Sequence, residues 1–141
     1  MNVTSRSEAE TTGAGRQFAA QLRAGDVVLL SGVLGAGKTA FVRGLAEGLG
    51  CAPGAVSSPT FAIVQEYQGR LPLQHVDLYR LTPVEVEDLA LDDLMAGSVM
   101  AIEWPERWPQ APAEAWHVTI ARVDDATRTI EIGAPPGYST R

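Results

Sequence analysis

Lys38 is the sole lysine of a 141-residue chain that otherwise relies on ten arginines. It stands in Gly32-Val-Leu-Gly-Ala-Gly-Lys-Thr39, an instance of the pattern G-x-x-x-x-G-K-[ST]. A flat guanidinium fork suits paired acceptors, whereas a compact ammonium on a flexible stem suits a point contact with phosphate. Glycines at 32, 35 and 37 let successive backbone N–H groups turn inward around an anion with no Cβ in the way. Lys38 can then reach the β- and γ-phosphates of a nucleotide, and the Thr39 hydroxyl can bind Mg²⁺. The binding set from this stretch is Gly35, Ala36, Gly37, Lys38, Thr39 and Ala40.

Hydrolysis demands more than a phosphate nest, because a metal must be held and a water aimed. Two carboxylates follow apolar runs: Asp77 after Leu73-Gln-His-Val76, and Glu103 after Val99-Met-Ala-Ile102. Ligands of open α/β sheets gather at the carboxyl ends of the strands. Asp77 and Glu103 are therefore candidate catalytic and metal residues beside Lys38. Trp104 is a candidate cover for the nucleotide, and Thr60 lies on a loop able to approach the γ-phosphate. His75 reads as a structural strand residue, His117 carries no chemical signal, and Asp92-Asp93 reads as a solvated helix face.

These groups need a scaffold. Asp26 to Ser31 reads as a buried strand and Thr39 to Leu49 as a helix, so the glycine-rich turn sits in the strand–turn–helix context its chemistry requires. Ser7 to Arg23 is helical by its spacing of Ala14, Phe18 and Leu22, although Gly13 and Gly15 weaken it. Phe61 to Tyr67 and Leu71 to Asp77 form a hairpin about Gln68-Gly-Arg70. Thr82, Pro83 and Glu85 start a helix that runs towards Met95, breaks near Ala90 and stops at Gly97. Ser98 to Ile102 is a strand buried on both faces, and Glu103 to Pro109 is a proline-punctuated loop. Trp116 to Val123 and Thr127 to Ile132 alternate around a turn at Asp124-Asp125-Ala126. The expected fold is α/β: a mainly parallel central sheet flanked by helices in three layers, of the phosphate-loop NTPase kind, with an antiparallel hairpin extension. One domain over 1–141 is expected, with 1–6 and 134–141 frayed or mobile.

Composition narrows the class. A net charge of −6 opposes a broad nucleic-acid-binding face, which needs clustered Lys and Arg. Apolar runs such as Val27 to Leu30 are too short to span a bilayer, and no window resembles a signal peptide. The single Cys51 fits a reducing, cytoplasmic setting. With no second lysine the chain lacks the Asn-Lys-x-Asp element of guanine-specific proteins, which favours adenine.

Taken with the phosphate loop, Ser58-Pro-Thr-Phe61, His75-Val-Asp-Leu-Tyr-Arg-Leu81 and Ile102-Glu-Trp-Pro105 resemble the TsaE family in order and spacing. That family comprises bacterial ATPases needed for the tRNA modification N6-threonylcarbamoyladenosine, and the resemblance spans residues 7–132. It implies that Thr39 and Glu103 hold Mg²⁺ with Asp77 close by, that Thr11 lies near ATP, and that Arg128 matches an arginine of the last hairpin. It also implies TsaD and TsaB as partners, with tRNA met indirectly. The family pattern carries Asp where this chain has Val33, so a carboxylate is missing beside the phosphate nest. Two other readings compete: a small-metabolite kinase, with Arg107 as its lid cation, and a nucleotide-dependent binding module.

Overall fold

The computed structural model describes residues 1–33, 35–52, 56 and 63–138. In chain order the elements are β1 (Asn2–Ser5), α1 (Glu8–Ala19), β2 (Val27–Ser31), α2 (Lys38–Gly48), β3 (Val64–Tyr67) and β4 (Leu73–Asp77). There follow α3 (Pro83–Asp88), β5 (Val99–Glu103), β6 (Trp116–Arg122) and β7 (Arg128–Gly133). Single 3-10 turns occupy Leu91–Leu94 and Pro105–Arg107. The strands make one seven-stranded sheet in the order β1-β7-β6-β2-β5-β4-β3. The pairings β6-β2, β2-β5 and β5-β4 are parallel, and the outer pairings are antiparallel.

The apolar run Val27 to Leu30 is buried throughout because both faces of β2 are covered. Val28 and Leu30 join Phe18, Phe41 and Leu45 of α1 and α2 on one face. Val27 and Leu29 join Val86, Met100 and Trp108 on the other. Ser7 caps α1 by accepting the Glu10 N–H. Thr82 and Glu85 make a reciprocal capping box at α3, and left-handed Ala90 (φ 52°) ends that helical run where a break was expected.

The helical glycines mark a close crossing of α1 and α2. A Cβ on Gly44 would lie 1.8 Å from the Thr12 carbonyl oxygen, and one on Gly15 would lie 2.2 Å from that of Phe41. The two backbones touch, so these positions have no room for a side chain.

Two expectations need correction. Residues 1–6 are not frayed: β1 pairs with β7 from Asn2↔Glu131 to Ser5↔Arg128, and the Met1 ammonium donates to the Ile132 carbonyl at 2.9 Å. The open edge of β7 supplies partners that no local pattern announces. In the tail Ala134, Pro136 and Gly137 are exposed and the Tyr138 ring lies 4.8 Å from that of Trp116; residues 139–141 fall outside the described set. Helix α1 ends at Ala19, four residues short of Arg23. Among the described residues no helix is long and apolar enough to cross a membrane.

Candidate functional site

The turn between β2 and α2 depends on Gly37, which sits at φ 107° as the cap of α2. No side chain caps this helix, so the first N–H groups of α2 lack a side-chain acceptor and favour an anion. Arg128 braces the turn from β7. Its Nε donates to the Ala36 carbonyl at 2.9 Å, and its terminal nitrogens donate to the Gly35 carbonyl at 3.3 Å and the Asp124 carbonyl at 2.8 Å. The guanidinium engages the Gly35 and Ala36 carbonyls and the Ala36 N–H donates to the Val33 carbonyl at 3.1 Å, so it is the start of α2 that offers N–H groups to a ligand. Thr11 closes the floor: its hydroxyl lies 2.7 Å from that of Ser5, and its methyl faces Gly37.

Strand register sets the acids. β4 and β5 run parallel with His75 opposite Ala101 and Asp77 opposite Glu103, so His75, Asp77 and Glu103 share the sheet face that carries α2. Glu103 is 5% exposed. One of its oxygens, Oε2, lies 2.6 Å from His75 Nε2, and the other, Oε1, lies 3.9 Å from Lys38 Nζ. Asp77 accepts the Tyr79 N–H through Oδ1 at 3.0 Å, leaving its second oxygen without a described partner. The Leu78 N–H donates to the Glu103 carbonyl, which ties the two strand ends together.

Lys38 is 5% exposed, and its ammonium has no hydrogen-bond partner among the described residues. It stands 4.4 Å from the centre of the Trp104 ring. Trp104 adopts the left-handed region (φ 62°), uncommon for a bulky side chain, and packs against Tyr79 at 4.9 Å. A buried cation whose donors no described residue fills, beside an uncapped helix start, is an arrangement that accepts phosphate oxygens.

One cavity of about 960 Å³ is lined by Thr11, Gly35, Gly37, Lys38, Thr39 and Ala40, together with Asp77, Glu103, Trp104 and Arg128. Ala36 stands apart, its side chain buried in the core behind the turn. Thr60 lies outside the described residues. The hydroxyl of Thr39 and the carboxylates of Glu103 and Asp77 are hard oxygen donors that fit Mg²⁺, which needs one or two protein carboxylates beside phosphate and water. Among the described residues no three His, Cys, Asp or Glu side chains form a metal cage.

Sequence reasoning set aside His75 as structural, yet its ring touches the candidate metal carboxylate. Its place two residues before Asp77 on an alternating strand was the available signal. Tyr79 and Arg80, on the same cavity wall, were also passed over. Of the two loop tryptophans, Trp108 is a core residue at 5% exposed. Arg107, the lid cation of the kinase reading, donates to the Leu81 carbonyl at 3.0 Å.

Residues 5–130 match the family model described as threonylcarbamoyl adenosine biosynthesis protein TsaE. The chain is 50% identical over 106 residues to the tRNA threonylcarbamoyladenosine biosynthesis protein TsaE of Synechocystis sp., covering 71% of this chain and 67% of that protein. It is 44% identical over 128 residues to the protein of the same name from Bacillus subtilis, covering 89% and 80%. The crystal structure of Bacillus subtilis YdiB superposes with a TM-score of 0.76 at 34% identity, covering 96% of this chain and 85% of that one.

Proposed function

Because the chain belongs to the family of the threonylcarbamoyl adenosine biosynthesis protein TsaE, we propose that it binds and hydrolyses ATP with Mg²⁺ as an accessory subunit of tRNA threonylcarbamoyladenosine formation, a cytoplasmic task shared with TsaD and TsaB. The observation that carries the ATP reading is the buried Lys38 ammonium, without a hydrogen-bond partner among the described residues, at the wall of a nucleotide-sized cavity. The sheet with helices on both faces suits a three-layer phosphate-loop NTPase.

In this reading Lys38 and the first N–H groups of α2 hold the β- and γ-phosphates, and Arg128 keeps the turn in shape. Thr39 and Glu103 hold Mg²⁺ with Asp77 close to it; the bound ion supplies charge neutralisation at the phosphates. Trp104 covers Lys38 and must yield as phosphate takes the ammonium, so the Glu103–Trp104 end of β5 senses occupancy. That coupling suits ATP-dependent docking on TsaD–TsaB, since a ligand shifts only an equilibrium whose two states it contacts differently. The tethering of Arg107 disfavours the small-metabolite kinase alternative.

The test pairs turnover with assembly. Glu103→Gln should abolish Mg²⁺-dependent ATP hydrolysis while sparing metal-free nucleotide binding. Complex formation with TsaD–TsaB, followed by light scattering, should be stronger with a non-hydrolysable ATP analogue than with ADP or without nucleotide. Normal hydrolysis by Glu103→Gln would remove the metal assignment; equal assembly in all three conditions would reduce the protein to a plain nucleotide-binding subunit.

A further inference from the structure

His75 is 2% exposed, and among the described residues its one polar contact is Glu103. The carboxylate of an ionised Glu is acceptor only, so His75 Nε2–H donates to Glu103 Oε2. Nδ1 has no hydrogen-bond partner among the described residues. The hydrogen bond that the ring does make is to an acid on the neighbouring strand. The register explains the reach: His75 stands opposite Ala101, whose small side chain lets Glu103, two residues on, lean back along the sheet face. With Oε2 held at 2.6 Å, Oε1 is the oxygen turned towards Lys38 and the cavity. Asp77 cannot substitute as the holder, because it is itself an acceptor and its Oδ1 takes the Tyr79 N–H.

We propose that His75 is the positioning residue of this site: its Nε2–H fixes the Glu103 carboxylate so that one defined oxygen is presented to a divalent cation. This inference rests on the reading of Glu103 as a metal residue and adds the group that orients it. Partners of ligating carboxylates contribute about 10- to 100-fold to metal affinity.

The experiment uses the full chain with Mn²⁺ as a paramagnetic probe, titrated with and without a non-hydrolysable ATP analogue and read by electron paramagnetic resonance. Analogue binding without metal is measured by calorimetry. His75→Phe fills the ring volume without a donor and should weaken Mn²⁺ binding about 10- to 100-fold. Metal-free analogue affinity should stay within about threefold, since His75 makes no phosphate contact. His75→Gln carries an amide N–H to about the reach of Nε2 and should restore most of the Mn²⁺ affinity. His75→Asn ends short of Glu103 and should not. Should His75→Phe fail to fold, the Gln and Asn variants decide alone. Equal Mn²⁺ affinity in Gln and Asn, or wild-type Mn²⁺ affinity in a folded His75→Phe, overturns the positioning role while leaving Glu103 as a ligand. A wild-type protein with no Mn²⁺-dependent analogue binding overturns the metal reading itself, and this inference with it.

Discussion

Lys38→Ala removes the ammonium and leaves the backbone nest in place. A hydrogen bond to a charged group is worth about 1.5–3 kcal/mol, and each 1.4 kcal/mol is about tenfold in affinity, so ATP binding should weaken roughly tenfold to a hundredfold. The effect on the fold is a separate question, because Lys38 is also the cation nearest a buried carboxylate. Stranding one member of a buried ion pair costs about 3–5 kcal/mol. Here the Lys38–Glu103 separation is 3.9 Å, too long for a hydrogen bond, and Glu103 keeps its 2.6 Å contact with His75. The ammonium itself is buried without a hydrogen bond, so its removal also relieves a desolvation cost. Its contact with the Trp104 ring, about 0.5–2 kcal/mol in general, is the main loss. The net change in unfolding free energy should therefore stay near or below about 1 kcal/mol. Calorimetry with ATP measures the first quantity, and urea melts without nucleotide measure the second. ATP affinity within about threefold of wild type would refute the phosphate role. A stability loss above about 3 kcal/mol would show that Lys38 serves mainly as the structural counter-ion of Glu103.

The helix crossing gives a paired test by thermal melting. Gly44→Ala drives a Cβ to 1.8 Å from the Thr12 carbonyl oxygen, with backbone on both sides, and should cost about 3 kcal/mol or more, a drop on the order of 10 °C. Gly13→Ala meets nothing within 4 Å and should instead gain up to about 1 kcal/mol of helix propensity; equal behaviour of the two variants would refute the close-contact account. Val33 is 65% exposed, so Val33→Asp should leave stability within about 0.5 kcal/mol and should not tighten ATP binding; tighter binding by calorimetry would contradict the placement of that charge near phosphate. Asp124 accepts the Ala126 and Thr127 N–H groups, which hold its carboxyl below the ordinary value of 3.8. Its folded pKa is depressed, so this stabilisation is present above the unfolded value and fades as pH falls through the folded one. Acid melts of Asp124→Asn should converge on wild type below that range, and a constant difference at all pH values would refute the sign.

What the chain by itself determined is what neighbours along it can encode. The apolar run of β2, the glycine spacing that allows Gly37 its positive φ, and the Thr82–Glu85 capping box all depend on residues within a few positions of one another. Two acids after apolar strands were legible too, because period-two burial and strand ends are local facts. The tertiary structure decided which side chains meet across the sheet. His75 reaches Glu103 only because β4 and β5 are parallel neighbours in one register, and a shift of one residue would turn one of the two to the opposite face. Arg128 supports the glycine-rich turn from 92 residues away, and β1 is a strand only because β7 offers it an edge. Gly13 and Gly15 look alike in sequence, both helix-weakening, yet only Gly15 lies where α2 comes within backbone contact. Strand order, register and helix crossing arise from burying several surfaces at once, so no short window of residues contains them.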